Sequence, residues 1–142
     1  MRNSTPYYIY KMTGFASPTF SKRERIVSRT LIEKLFSKGS SQTTSAFPLR
    51  AVYMKEERKE GEEPVQILIS VSKRHFKHAV NRNRVKRQIR ESYRHHKQIL
   101  TEKIPQEQSI YVAFIWLADS LFDSPHVEGS VRKLLEKVAE SV

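Results

Sequence analysis

Residues 79–94 read AVNRNRVKRQIRESYR: five arginines, one lysine and a single acid, with Val85, Ile89 and Tyr93 recurring every four residues. At about 100° per residue these three, with His96 and Leu100, fall in one quadrant of a helix, while Asn83, Lys86, Arg87, Arg90, Arg94 and Lys97 gather opposite. The spacing predicts an amphipathic helix running to about Leu100, with an apolar stripe on a core and a basic face outward. It is flanked by two β-rich runs, VQILISVS at 65–72 and SIYVAFIWL at 109–117. The second run is nearly continuous in apolar residues, which predicts a strand covered on both faces, with Trp116 in the core.

Upstream, FPLRAVYM at 47–54 alternates as a strand does, and the charged segment KEERKEGEEP at 55–64 looks like a turn. The two runs on either side of it are therefore expected to form a hairpin, with SSQTTS at 40–45 as a polar loop before it. Ser28 is an N-cap for a short helix with Leu31, Ile32, Leu35 and Phe36 on one face, ending at Gly39. At the other end, Ser124 and Pro125 open a last helix in which Val127, Val131, Leu134 and Val138 repeat at helical spacing. The expected order is a helix, two or three strands, a helix, a strand and a helix. Residues 1–20 carry no period and read as a loosely ordered extension to one domain over residues 21–142.

The chain has 142 residues, enough for one core, and lacks cysteine, which suits a reducing cytosol and leaves no thiolate zinc site. No apolar stretch reaches membrane-spanning length, so a soluble cytoplasmic protein without a membrane partner is expected. Between Lys73 and Lys97 there are ten Lys/Arg against one acid, Glu91, a net +9 within a chain total of +11. Like charges crowded on one helix face repel, and phosphate is their natural counter-charge. A nucleic acid is the expected partner. Charge alone leaves its type open, although a strand rather than a second helix precedes the basic helix, and the strands carry no aromatic pattern of a single-strand reader. His75, His78, His95 and His96 lack the carboxylate or cysteine spacing of a metal site, and the acids crowd into the 56–63 turn and the last helix, so no protein metal site and no protein-borne catalytic residue is expected.

Ser-Val-Ser-Lys-Arg at 70–74 followed by Ala-Val-Asn-Arg-Asn-Arg-Val-Lys-Arg-Gln-Ile-Arg-Glu at 79–91 resembles the signature of the protein subunit of bacterial ribonuclease P. Arg23-Glu-Arg-Ile through Lys34-Leu-Phe-Ser-Lys-Gly39 resembles that family's first helix, so the likeness covers about residues 20–140. It implies an α/β sandwich in the order α-β-β-β-α-β-α, with a mixed four-stranded sheet and a left-handed strand–helix–strand crossover against the usual rule. It further implies the protein component of a ribonucleoprotein endonuclease that removes the 5′ leader of precursor tRNA, with hydrolysis carried out by the RNA subunit and the Mg²⁺ which that RNA mainly holds. Carried over to this sequence, Arg82, Asn83, Arg84, Lys86, Arg87, Arg90 and Arg94 would grip the catalytic RNA. Arg82 projects near the apolar quadrant, which leaves a structural role open to it. Ile32, Phe36, Arg50, Ser72 and Lys73 would line a cleft for the single-stranded leader, with Ile32 standing where the family usually has an aromatic. DNA is not expected as a partner. A non-enzymatic ribosomal or assembly RNA-binding protein of similar basic fold is the alternative.

Overall fold

The structure, a computed structural model, describes residues 20–37, 39 and 41–142, so the extension expected over residues 1–20 lies, Phe20 aside, outside the described residues. Helix α1 spans Arg29–Leu35, and strands β1, β2 and β3 span Gln42–Ala46, Leu49–Glu57 and Val65–Ser70. Helix α2 spans Ala79–His96, β4 spans Gln108–Trp116 and α3 spans Ser124–Glu140. A single helical turn at Gln98–Thr101 follows α2, so the stripe predicted to reach Leu100 comes in two pieces, and Leu100 is still fully buried. The Ser28 hydroxyl accepts from the Leu31 amide as the cap of α1, and Gly39 beyond it has φ +85°, the left-handed region that favours glycine. The cap of α3 is Asp123, one residue before the expected Ser124, with its carboxylate accepting from the His126 amide at 2.9 Å.

The four strands form one mixed sheet in the order β1-β2-β4-β3, antiparallel except for the parallel β3/β4 pair. The expected hairpin between β2 and β3 does not form, because β4 lies between them. The apolar residues of β4 on both faces suit it to the centre, and Leu49 to Glu57 pair with it residue by residue back to Gln108. The charged segment after β2 instead crosses the start of β4, where the Arg58 amide donates to the Glu107 carbonyl at 2.8 Å and its Nε to the Gln108 carbonyl at 2.9 Å. The actual hairpin is β1 with β2, so residues 42–45 of the expected polar loop, with Ala46, are a strand. They read as loop because an edge strand with little covering it needs few apolar residues.

One sheet face is closed. Leu49, Ala51 and Tyr53 of β2, Val65 and Ile67 of β3, and Ile110, Val112, Phe114 and Trp116 of β4 pack with Val85, Ile89 and Tyr93 of α2 and the Val127–Val138 stripe of α3. The opposite face is only half covered: Val52, Met54, Tyr111 and Ala113 lie with Ile26 and Leu35, and with the partly buried Leu31 and Ile32, under α1. Beyond α1 the row Ser45, Arg50, Ile115 and Ser70 crosses all four strands. The chain before α1 is tied to the β3 edge, where the Ile26 amide donates to the Ile67 carbonyl at 2.9 Å.

Candidate nucleic-acid interface

Helix α2 separates its two chemistries along its length. Val85, Gln88, Ile89, Ser92 and Tyr93 are buried, whereas Asn83, Arg84 and Arg87 are exposed and Lys86, Arg90 and Arg94 are half-buried. Among the described residues no carboxylate forms an ion pair with Arg84, Lys86, Arg87 or Arg90. Two cations of this face are engaged. Arg94 bonds the Glu91 carboxylate at 2.6 Å, and Lys97 meets the buried Glu24 at 2.8 Å, while the other Glu24 oxygen accepts from the Ser21 amide.

Arg82 is set apart, as its position near the apolar quadrant suggested. Its Nη1 donates to the Phe76 carbonyl at 2.8 Å and the Lys77 carbonyl at 3.0 Å, clamping the turn that leads into α2. Arg25, which sequence reasoning missed, joins this surface from the chain segment before α1. Burial first, then the charges of Arg25 and Arg87, hold the Arg90 guanidinium below its usual range, which marks these three cations as neighbours. The Arg25 guanidinium also lies 5.3 Å over the Phe20 ring, and Phe20 meets Tyr93 edge-on at 5.8 Å. Only the basic residues of Arg23-Glu-Arg-Ile hinted at this, since nothing in their spacing shows that the segment returns to α2.

The five cleft candidates fall into two groups. Ile32 packs partly buried on the open-face cluster, and Phe36, at the C-terminal end of α1, is 47% exposed. Lys34 pairs with Glu56 at 2.9 Å, which places that end of α1 over the Glu56 end of β2. Arg50 is exposed at the other end, six residues or roughly 20 Å along the strand. Arg50 and Ser70 flank Ile115 on one row, and Ser72 and Lys73 follow in the exposed turn after β3, so these three candidates lie toward the same end of the sheet. Of the histidines weighed as metal ligands, His75 bonds Asp119 at 2.6 Å and His96 bonds Glu128 at 2.8 Å.

The family model described as Ribonuclease P matches residues 20–139. The chain belongs to the ribonuclease P protein family. It is 40% identical over 132 residues to the ribonuclease P protein component of Porphyromonas gingivalis, covering 88% of this chain and 91% of that one. It is 38% identical over 91 residues to the component of Chlorobium phaeobacteroides, covering 63% and 61%. Among solved structures, a Staphylococcus aureus RNase P protein mutant with defective mRNA degradation activity superposes with a TM-score of 0.63 at 19% identity, over 94% of this chain and 96% of that one. The Thermotoga maritima RNase P protein gives 0.57 at 21% identity, over 80% and 96%. These two likenesses share the fold. As a ribonuclease P protein component the chain is part of an endoribonuclease of tRNA processing, a ribonucleoprotein with an RNA partner, and this decides against a ribosomal or assembly protein. Among the described residues no helix is long and apolar enough to cross a membrane.

Proposed function

We propose that α2 binds the catalytic RNA of ribonuclease P, and that the open sheet face receives the single-stranded 5′ leader of precursor tRNA. The observation that carries this is the division of α2, whose stripe at Val85, Ile89 and Tyr93 is fully buried while Arg84 and Arg87 face outward without acidic partners among the described residues. Arginine supplies charge and a planar fork for phosphate oxygens, and Asn83 offers an amide to a base or 2′-hydroxyl. Arg82 supports the interface by holding the start of the helix in place. At the groove, Arg50 and Lys73 supply positive walls, and the Phe36 ring offers a stacking face.

Hydrolysis is assigned to the RNA subunit and the Mg²⁺ it holds. The exposed Arg84 and Arg87 fit this division, because a guanidinium neutralises phosphate and does not ligate a divalent ion. The test is reconstitution with the catalytic RNA and precursor tRNA. Replacing Arg84, Arg87 and Arg90 by Gln keeps good helix formers and the buried stripe, so the fold is expected to survive. Cleavage is expected to collapse at low Mg²⁺ and recover when Mg²⁺ is raised, since added cation replaces the missing protein charge. Cleavage lost at every Mg²⁺ concentration with RNA binding intact would put a catalytic group on the protein and overturn the assignment.

A further inference from the structure

Where β1 turns into β2, Phe47 is 64% exposed, yet it is held in place. Its ring meets Phe122 edge-on at 6.0 Å, and Phe122 rests edge-on against the buried Trp116 at 5.7 Å and the His126 ring at 4.8 Å. The Ser130 hydroxyl donates to the Phe47 carbonyl at 3.0 Å, and the Leu117 amide to the Pro48 carbonyl at 2.8 Å. Leu121, beside Phe122 in sequence, is 38% exposed. A large ring fixed in water on a rigid base leaves apolar area uncovered that a ligand would bury.

The surroundings say which ligand. Arg50 of the open-face row follows Phe47 by three residues. On the other side, the Gln88 amide donates to the Phe122 carbonyl at 3.0 Å and the Ser124 hydroxyl at 3.2 Å, tying this loop to α2 one turn beyond Arg84. The His75–Asp119 bond ties the loop to the turn carrying Lys73, Arg74 and Lys77. All five of these cations are exposed and have no carboxylate partner among the described residues. The two acids of the loop are engaged, Asp119 with His75 and Asp123 as the cap of α3.

We propose that Phe47, seated on Phe122, is a stacking platform for an unpaired RNA base, and that it carries the interface from the Arg50 row around the end of the sheet to the first turns of α2. This rests on the RNA-binding reading above and adds to it a base-contacting site outside both the basic helix and the groove. An unpaired nucleotide brings a π-face for the ring and a phosphate for the flanking cations. Two exposed apolar side chains are far short of the ~800 Å² per partner that a stable protein interface buries, and a protein partner would have to desolvate the cations around them.

The test uses the full-length protein and two fluorescent probes, a single-stranded twelve-nucleotide RNA and an abasic ribose-phosphate strand of the same length. Phe47→Leu, which keeps apolar bulk but removes the π-face, is expected to weaken binding of the base-bearing strand about tenfold and leave the abasic strand unchanged. Phe47→Tyr is expected to restore it, and thermal melting should match the wild type for both variants. Equal wild-type binding of both strands by Phe47→Leu would overturn the platform alone. So would self-association of the wild type that Phe47→Leu abolishes, which would assign the patch to a second copy. Wild-type protein that binds neither strand nor the catalytic RNA would overturn the RNA reading and the platform with it.

Discussion

The two faces of the sheet are made by the same strands and do opposite work. Along β4, Phe114 points into the closed face and is fully buried, whereas its neighbour Ile115 points to the open face and is only half-buried. Two long helices seal the first side, while α1, with seven residues, covers only part of the second. A strand apolar on both sides therefore need not be sealed on both. Its second face can supply the floor of a groove, provided the first face secures the fold.

The sharpest way to break this comparison is to truncate each face in turn. Phe114→Ala should cost about 3–5 kcal/mol in urea unfolding, and Ile115→Ala, with less area to lose, about 1–2 kcal/mol. Equal costs would mean that the open face is as much core as the closed one. Next in size is the basic surface: with Arg84, Arg87 and Arg90 replaced by Gln, the slope of log affinity for RNA against log salt should fall by about 2–3. An unchanged slope would show that these arginines meet no phosphate. Smaller again, Arg50→Ala should weaken binding of leader-bearing precursor tRNA about tenfold while sparing mature tRNA and the melting temperature. Equal loss on both substrates would remove the open face from leader recognition.

The smallest effect lies inside the closed face. Burial, then the charges of Glu24 and Glu63, raise the Tyr93 hydroxyl far above its usual range, and burial with the Glu62 carboxylate pushes Tyr111 on the open face up to about 12. Both raised values mean that the folded chain holds these protons more tightly than the unfolded chain. Stability from them is full below about pH 10 and falls as pH rises from there, through about 12 for Tyr111 and beyond that for Tyr93. Among the described residues the Tyr93 hydroxyl has no hydrogen-bond partner, so Tyr93→Phe should change stability at neutral pH by no more than about 1 kcal/mol. It should also flatten the alkaline loss, as measured by urea unfolding across pH 9–12.

Much of this was legible in the residues. The period of Val85, Ile89 and Tyr93 placed α2 and both its faces, and the unbroken SIYVAFIWL run marked β4 as a strand inside the fold, although its second face is only half covered. What escaped was set by distant partners. QTTSA is polar because it is an edge, and nothing within it says that it pairs with β2. KEERKEGEEP has the composition of a hairpin turn, but the strand that separates β2 from β3 begins only at Gln108, far beyond Pro64 in the chain. At the interface, α2 could be read from periodicity, whereas the nearness of Arg25 to Arg90 and the pairing of Lys97 with Glu24 depend on how the first described segment folds back. Period two in FPLRAVYM puts Phe47 on the same side as Leu49, but does not reveal that Phe47 stands at the sheet's end, largely in water.

The central place of β4 has a consequence for synthesis on the ribosome. Strand β2 and strand β3 meet only through β4, the last strand to be made. Until Trp116 has left the exit tunnel, the β1–β2 hairpin and β3 carry unpaired edges, and the stripe of α2 has no β4 to pack on. The nascent chain then already bears its densest positive charge, exposed before the core that will hold it exists. A chain halted before residue 108 should be captured by chaperones or by cellular RNA, and only completion of the last strand converts that charge from a liability into an oriented surface.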